Sequence, residues 1–282
     1  MTASAMEHVT TMSSPSGLPV RLAGVGVRFE TSGGTIQALE NFDLEIAPGS
    51  FTAVIGPNGC GKSTLLRIVA GLISPDTGSV RVGGSPTRAG DGRAGLAFQQ
   101  PRLIPWRSTL DNVAMAFELS GDPPAERQDR ATGALERVGL SAAAALRPRE
   151  LSGGMAQRAA LARALALDPP VLLLDEPFSA LDALTRESFN AELQRLWLER
   201  RRTIVLVTHS VSEAVGLADR VVVMTSRPGK VARVVDIDLE RPRPADLTGD
   251  SRAADLAAEV REALASAHPL ELRAWADPEE RP

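Results

Sequence analysis

Gly56-Pro57-Asn58-Gly59-Cys60-Gly61-Lys62-Ser63 is the stretch on which the reading of the fold turns. It satisfies G-x-x-x-x-G-K-[ST] at every fixed position. It follows the apolar run 51–55 and precedes residues 63–70, whose apolar positions recur at helical spacing. A strand, a glycine-rich turn and a helix in that order make a cradle for phosphate. Backbone N–H groups can close round an anion only where no Cβ obstructs, which is the use of Gly56, Gly59 and Gly61. The start of the helix adds partial positive charge aimed at the same place. Lys62 suits the β- and γ-phosphates of a nucleotide, the Ser63 hydroxyl suits Mg²⁺, and Thr64 is placed for the α-phosphate. Cys60 reads as a small residue filling the loop, and an alkyl group on it is expected to block the phosphate site.

Outward from the cradle, three zones separate. Over residues 20–95, short β-rich runs (24–30, 44–46, 51–55, 80–82) alternate with turn residues around the single helix 63–70. Over about 101–166 the pattern is helical and alanine-rich, with Pro and Gly at the joints. From 171 onward, strands of buried type (171–174, 203–207, 220–224) alternate with helices such as 182–200, the mark of a parallel sheet covered by helices. The middle zone is then a helical insert in an α/β core. A proline-rich run, 240–250, sets off a tail in which Leu256, Val260 and Leu264 recur at helical spacing.

Two strands of the last zone end in chemistry. Val171-Leu172-Leu173-Leu174 runs into Asp175 and Glu176, and ligands of open α/β sheets lie at the carboxyl ends of strands. Asp175 suits the Mg²⁺ shell, and Glu176 suits the water that attacks a γ-phosphate. The strand 203–207 delivers Thr208 and His209 to the same edge. Of the three histidines in the chain, His209 alone is so placed, as a γ-phosphate contact that steadies the water.

Leu151-Ser152-Gly153-Gly154-Met155-Ala156-Gln157-Arg158, shortly before the acid strand, is a second glycine-exposed helix start and so a second anion site. A helix N-cap and nothing more is the alternative reading. It resembles the signature sequence of the ABC ATPases, and with the cradle it identifies the chain as a member of that family over roughly residues 20–244. The resemblance implies an α/β fold: a P-loop NTPase (RecA-like) core with an antiparallel β subdomain and an inserted α-helical signature subdomain. It further implies that Ser152, Gly153 and Gly154 cap the γ-phosphate held by a second copy, so that ATP is sandwiched in a head-to-tail dimer. Phe98-Gln99 resembles the Q-loop, with Gln99 near Mg²⁺ and the attacking water. Ser179-Ala180-Leu181-Asp182 resembles the D-loop at the dimer interface. Phe29 resembles the aromatic that stacks on adenine, although an aromatic in a strand is commonly core. The family boundaries imply an N-terminal arm over 1–18, an ATPase domain over 19–244 with its insert at about 101–166, and a tail over 245–282.

After Gln99 the loop carries Leu103, Ile104 and Trp106, Pro101 and Pro105 keep it non-helical, and Ser108 or Thr109 can cap the helix that follows. Apolar side chains on a loop call for a cover. In the family, residues equivalent to 99–113 receive a coupling helix from the transmembrane permease subunits; folding back on the insert is the alternative. Pro105-Trp106 with Leu110-Asp111-Asn112-Val113, the stretch from Asp175 to Arg186, Arg227-Pro228-Gly229-Lys230 and Arg241-Pro242-Arg243-Pro244 resemble importers of nitrate, aliphatic sulfonates and taurine, which work with an extracellular solute-binding protein. An exporter ATPase, or a soluble ABC ATPase acting on nucleic acid or the ribosome, stays open on the ATPase motifs alone.

Composition narrows these classes. With 282 residues, 43% of them apolar, the chain can bury a large core. The net charge of −4 gives no basic footprint, so no nucleic-acid partner is expected. One cysteine excludes an intramolecular disulfide. No run approaches the roughly 20 apolar residues of a membrane span, and the polar N-terminus has no apolar h-region. The expected location is peripheral, at the cytoplasmic face of the cell membrane.

Overall fold

The strands predicted to be buried on both faces are buried at every position but Arg220, and they organise the molecule. The computed structural model describes residues 16–179, 181–244 and 246–267. In chain order it contains β1 (Val20–Thr31), β2 (Gly34–Ile46), β3 (Phe51–Ile55), α1 (Lys62–Val69), β4 (Thr77–Val82), β5 (Ser85–Pro86) and β6 (Ala94–Ala97). There follow α2 (Thr109–Ser120), α3 (Pro124–Arg137), α4 (Gly153–Leu165), β7 (Val171–Asp175), α5 (Ala183–Arg200) and β8 (Thr203–Val207). The chain continues with α6 (Val211–Leu217), β9 (Arg220–Met224), β10 (Val231–Asp236) and α7 (Ser251–Ala267).

Strands β6, β7, β8, β3 and β9 pair in parallel, and β10 adds an antiparallel edge, giving the six-stranded order β10-β9-β3-β8-β7-β6. Successive residues of a strand face opposite sides, and the core divides accordingly. Phe51, Ala53, Leu172, Leu174, Ile204 and Leu206 join the helices of one side. Val54, Val171, Leu173, Val205 and Val207 pack on the other against α1 and the second sheet. That second sheet is antiparallel, in the order β2-β1-β4-β5. The fold is therefore α/β with an antiparallel sheet and a helical segment, as expected.

Helix α2 starts at Ser108, whose hydroxyl accepts the Asp111 N–H at 3.0 Å. Thr109 instead donates to the Leu146 carbonyl. Between α2 and α4 the helices pack on one another through Val113, Phe117, Leu135 and Leu161. The run before the tail is pinned from below. Arg243 is buried and donates to the carbonyls of Val215, Ala218 and Leu239, with burial lowering its pKa to about 10. Arg241 stacks on Trp197, 4.2 Å from the ring centroid. The predicted helical spacing of the tail appears as α7, which buries Leu256 and Val260 in the main core. The sequence pattern missed β5, β6 and β10 and caught only the end of β2. β5 and β6 are two and four residues long, β10 keeps only Val235 fully buried in a run broken by Arg233, and residues 34–37 of β2 are not buried. The residues read as an N-terminal arm lie mostly outside the described ones. No described helix is long and apolar enough to cross a membrane.

Candidate functional site

At the carboxyl ends of the parallel strands lies a cavity of about 800 Å³. The loop from β3 to α1 forms its floor. Gly59 and Gly61 have φ of 76° and 106°, a region that a side chain with Cβ seldom enters. A Cβ on Gly61 would come within 2.9 Å of the Ala38 carbonyl, so glycine is required there twice over. Lys62 opens α1 and is buried, with its ammonium donating to the Gly56 and Pro57 carbonyls at 2.8 and 2.9 Å. The charge is thus held at the mouth of the loop.

Ser63 donates to Asp175 Oδ1 at 2.9 Å, joining the cradle to the end of β7. Burial pushes the Asp175 carboxyl above the usual carboxylate range, while the Ser63 hydrogen bond works against that shift. Beside it Glu176, at φ 45°, accepts from Gln99 Nε2 at 3.0 Å and lies 3.7 Å from His209 Nδ1. Three elements distant in sequence therefore meet at one carboxylate. Phe29, 37% exposed, lines the cavity with Thr31, Ile36 and Ala38 from β1 and β2. Its exposure answers the doubt that it is ordinary core. Asn58, Thr64 and Arg227 complete the wall.

Other expected residues stand apart. Ser152 caps α4, its hydroxyl accepting the Met155 N–H at 3.2 Å. With Gly154 it borders a separate depression of about 400 Å³, near Gly139, Met155 and Arg158. Among the described residues, neither the 152–154 turn nor Asp182 lines the nucleotide-sized cavity. Asp182 caps α5 through the Thr185 N–H at 2.9 Å. Cys60 needs a correction. Its side chain is 1% exposed and belongs to the core under β2 and β9, so a group attached to it would disrupt packing before it reached the phosphate site. In the loop after Gln99, Leu103 packs against the core and Ile104 is half-buried, whereas Trp106 is 75% exposed. Folding back on the insert thus holds for Leu103, and Trp106 is left exposed.

Arg227 was missed as a site residue. Its guanidinium donates to the Gly59 carbonyl at 3.1 and 3.2 Å. Nothing but its place in the Arg-Pro-Gly-Lys phrase could have drawn attention to it.

The profile of the family described as ABC transporter matches residues 39–179. An ABC transporter ATP-binding protein of Methanocaldococcus jannaschii is 49% identical over 76% of this chain and 80% of its own length. The chain belongs to the ABC transporter ATP-binding family. It is also similar to an aliphatic sulfonates import ATP-binding protein of Xanthomonas axonopodis, 48% identical over 82% of this chain and 89% of that one. A nitrate import ATP-binding protein of Synechococcus elongatus is 42% identical over 84% of this chain and 88% of its own. Among solved structures, the dimeric post-hydrolysis state of an ATP-binding cassette with ADP and Pi covers 78% of this chain and all of its own, at a TM-score of 0.71 and 34% identity. The chain is an ATPase of this family.

Proposed function

We propose that this chain is the ATP-hydrolysing subunit of an importer for a small oxyanion of the sulfonate or nitrate kind. The observation that carries the catalytic half is the meeting of Gln99, Glu176 and His209 at the rim of a cavity floored by the phosphate loop. The import half is supported by the relatives named for sulfonate and nitrate import.

In this reading the backbone of residues 56–61, with Lys62 and Thr64, holds the phosphates, and the adenine lies against Phe29. Glu176 takes the proton of the attacking water, Gln99 orients that water, and His209 steadies it against the γ-phosphate. The donors beside the loop fit Mg²⁺: a hydroxyl and a carboxylate oxygen, Ser63 Oγ and Asp175 Oδ1, already stand 2.9 Å apart, with the Gln99 amide near by. A Mg²⁺ ion held by them would supply neutralising charge to the β- and γ-phosphates.

The signature turn lies outside the chain's own cavity, so we assign Ser152, Gly153 and Gly154 to the nucleotide of a second copy, with Asp182 at the shared interface. The dimeric state of the similar cassette supports this arrangement. Trp106 and the other exposed residues of 99–113 form the docking surface for a transmembrane permease at the cytoplasmic face, and a solute-binding protein delivers the solute from outside. Residues 19–244 act as the ATPase unit and 245–282 as an appended tail. A Glu176→Gln variant tests the core of this reading. It should bind ATP and accumulate as a closed dimer with turnover reduced about 100-fold or more; turnover near the wild-type rate would overturn it.

A further inference from the structure

Glu213 has no part in the site described above, yet it is 6% exposed in the first turn of α6. A carboxylate that served only the helix dipole would lie in water, and Ser210 already caps that helix by accepting the Glu213 N–H at 3.3 Å. Glu213 is instead built into a chain of contacts. It accepts the hydroxyl proton of Thr208, whose oxygen also accepts the Ser210 N–H at 3.0 Å. These two bonds fix the turn that carries His209. On its other side, Glu213 Oε1 lies 3.6 Å from Nε of Arg186 on α5. Arg186 in turn donates through Nη2 to the Leu181 carbonyl at 3.0 Å. Leu181 stands next to Asp182, in the segment that follows Glu176.

We infer that Arg186 and Glu213 are positioning residues: they form a strut that sets the His209 turn against the Leu181–Asp182 backbone and so aligns His209 with Glu176. The inference rests on the roles proposed for His209 and Glu176. Burial makes the strut consequential, because a carboxylate in that environment holds its place only while its donors hold it, and burial pushes its pKa upward. The Arg186 Nε is buried without a hydrogen bond, at ion-pair rather than hydrogen-bond distance from Glu213. One guanidinium thus links the Leu181 carbonyl to the histidine turn.

The test is steady-state hydrolysis by the purified full-length chain, with ATP binding measured separately. Glu213→Ala and Arg186→Ala should each lower kcat about 10- to 100-fold while KM for ATP stays within about twofold, since neither side chain touches the phosphate loop. Glu213→Gln keeps an acceptor for Thr208 and should recover part of the loss. The double variant should be no slower than the slower single one, because both break the same strut. Arg186 is partly exposed, so its variant remains informative if Glu213→Ala does not fold. Folded variants with wild-type kcat, or with KM raised in step with the loss, would overturn the inference. In parallel, His209→Ala should abolish turnover. If it does not, the role given to His209 fails; if it does while the strut variants stay active, the strut alone fails.

Discussion

Gly229→Ala should loosen the nucleotide site from behind. Gly229 is buried in the turn after β9, where its N–H donates to the Ala38 carbonyl at 2.9 Å and its carbonyl accepts from Glu40 at 3.2 Å. A Cβ built there would stand 2.1 Å from the Cys60 carbonyl oxygen and 2.7 Å from Met224 Cε. The methionine end can rotate away, but the carbonyl belongs to the phosphate loop. Loop and turn would have to separate by about 1 Å, and overpacking of that kind costs about 1–3 kcal/mol. For a chain of this size the melting temperature should fall by about 2–12 °C. Part of that displacement falls on the backbone that cradles phosphate, so the rise in melting temperature on adding ATP should shrink as well. Gly133→Ala is the contrasting case. Gly133 lies inside α3 with nothing within 4 Å of its added Cβ, so alanine there should stabilise by about 0.5–1 kcal/mol. Thermal melts with and without ATP measure both. A Gly229→Ala protein that melts and responds to ATP as wild type would refute the reasoning from close approach.

Ser152→Arg should leave ATP binding to the chain's own cavity intact but lower hydrolysis about 100-fold, because a bulky cation would stand where the second copy's nucleotide docks; a filter-binding assay beside a phosphate-release assay separates the two. Glu192, on α5 near Arg158, is pushed above the usual carboxylate range by burial. Its carboxyl loses its proton more readily in the unfolded chain, so it costs stability as pH rises from the unfolded to the folded pKa and beyond. Glu192→Gln should therefore raise the melting temperature near neutral pH, with an advantage that fades as pH falls toward the carboxylate range. An advantage that grows on acidification would contradict that sign.

The parts of the fold legible in the sequence were those whose signal is local. β3, β8 and β9 have the bounds that their apolar runs predicted, because a strand covered on both faces must be apolar throughout. The cradle, the acid strand and the turn at His209 were legible because each couples fixed residues to a strand end. β5, β6, β10 and residues 34–37 of β2 were not: β5 and β6 are very short, and exposure in β10 and the start of β2 leaves no uninterrupted buried run or alternation to read. Spacing also says nothing of direction. Cys60 lies in the loop, yet its thiol faces the core; Leu103 turns inward while Trp106, three residues on, faces solvent. Arg227, Arg186 and Glu213 gain their meaning only from partners brought together by the sheet, at separations such as that between Gly59 and Arg227.

In the proposed dimer, one copy supplies the phosphate loop and the other the signature turn. Turnover per chain, measured across a dilution series with oligomeric state followed by light scattering in the same samples, tests this most directly. Turnover should rise with concentration in proportion to the dimer fraction and vanish where every chain is alone. Full turnover by chains shown to be monomeric would contradict it.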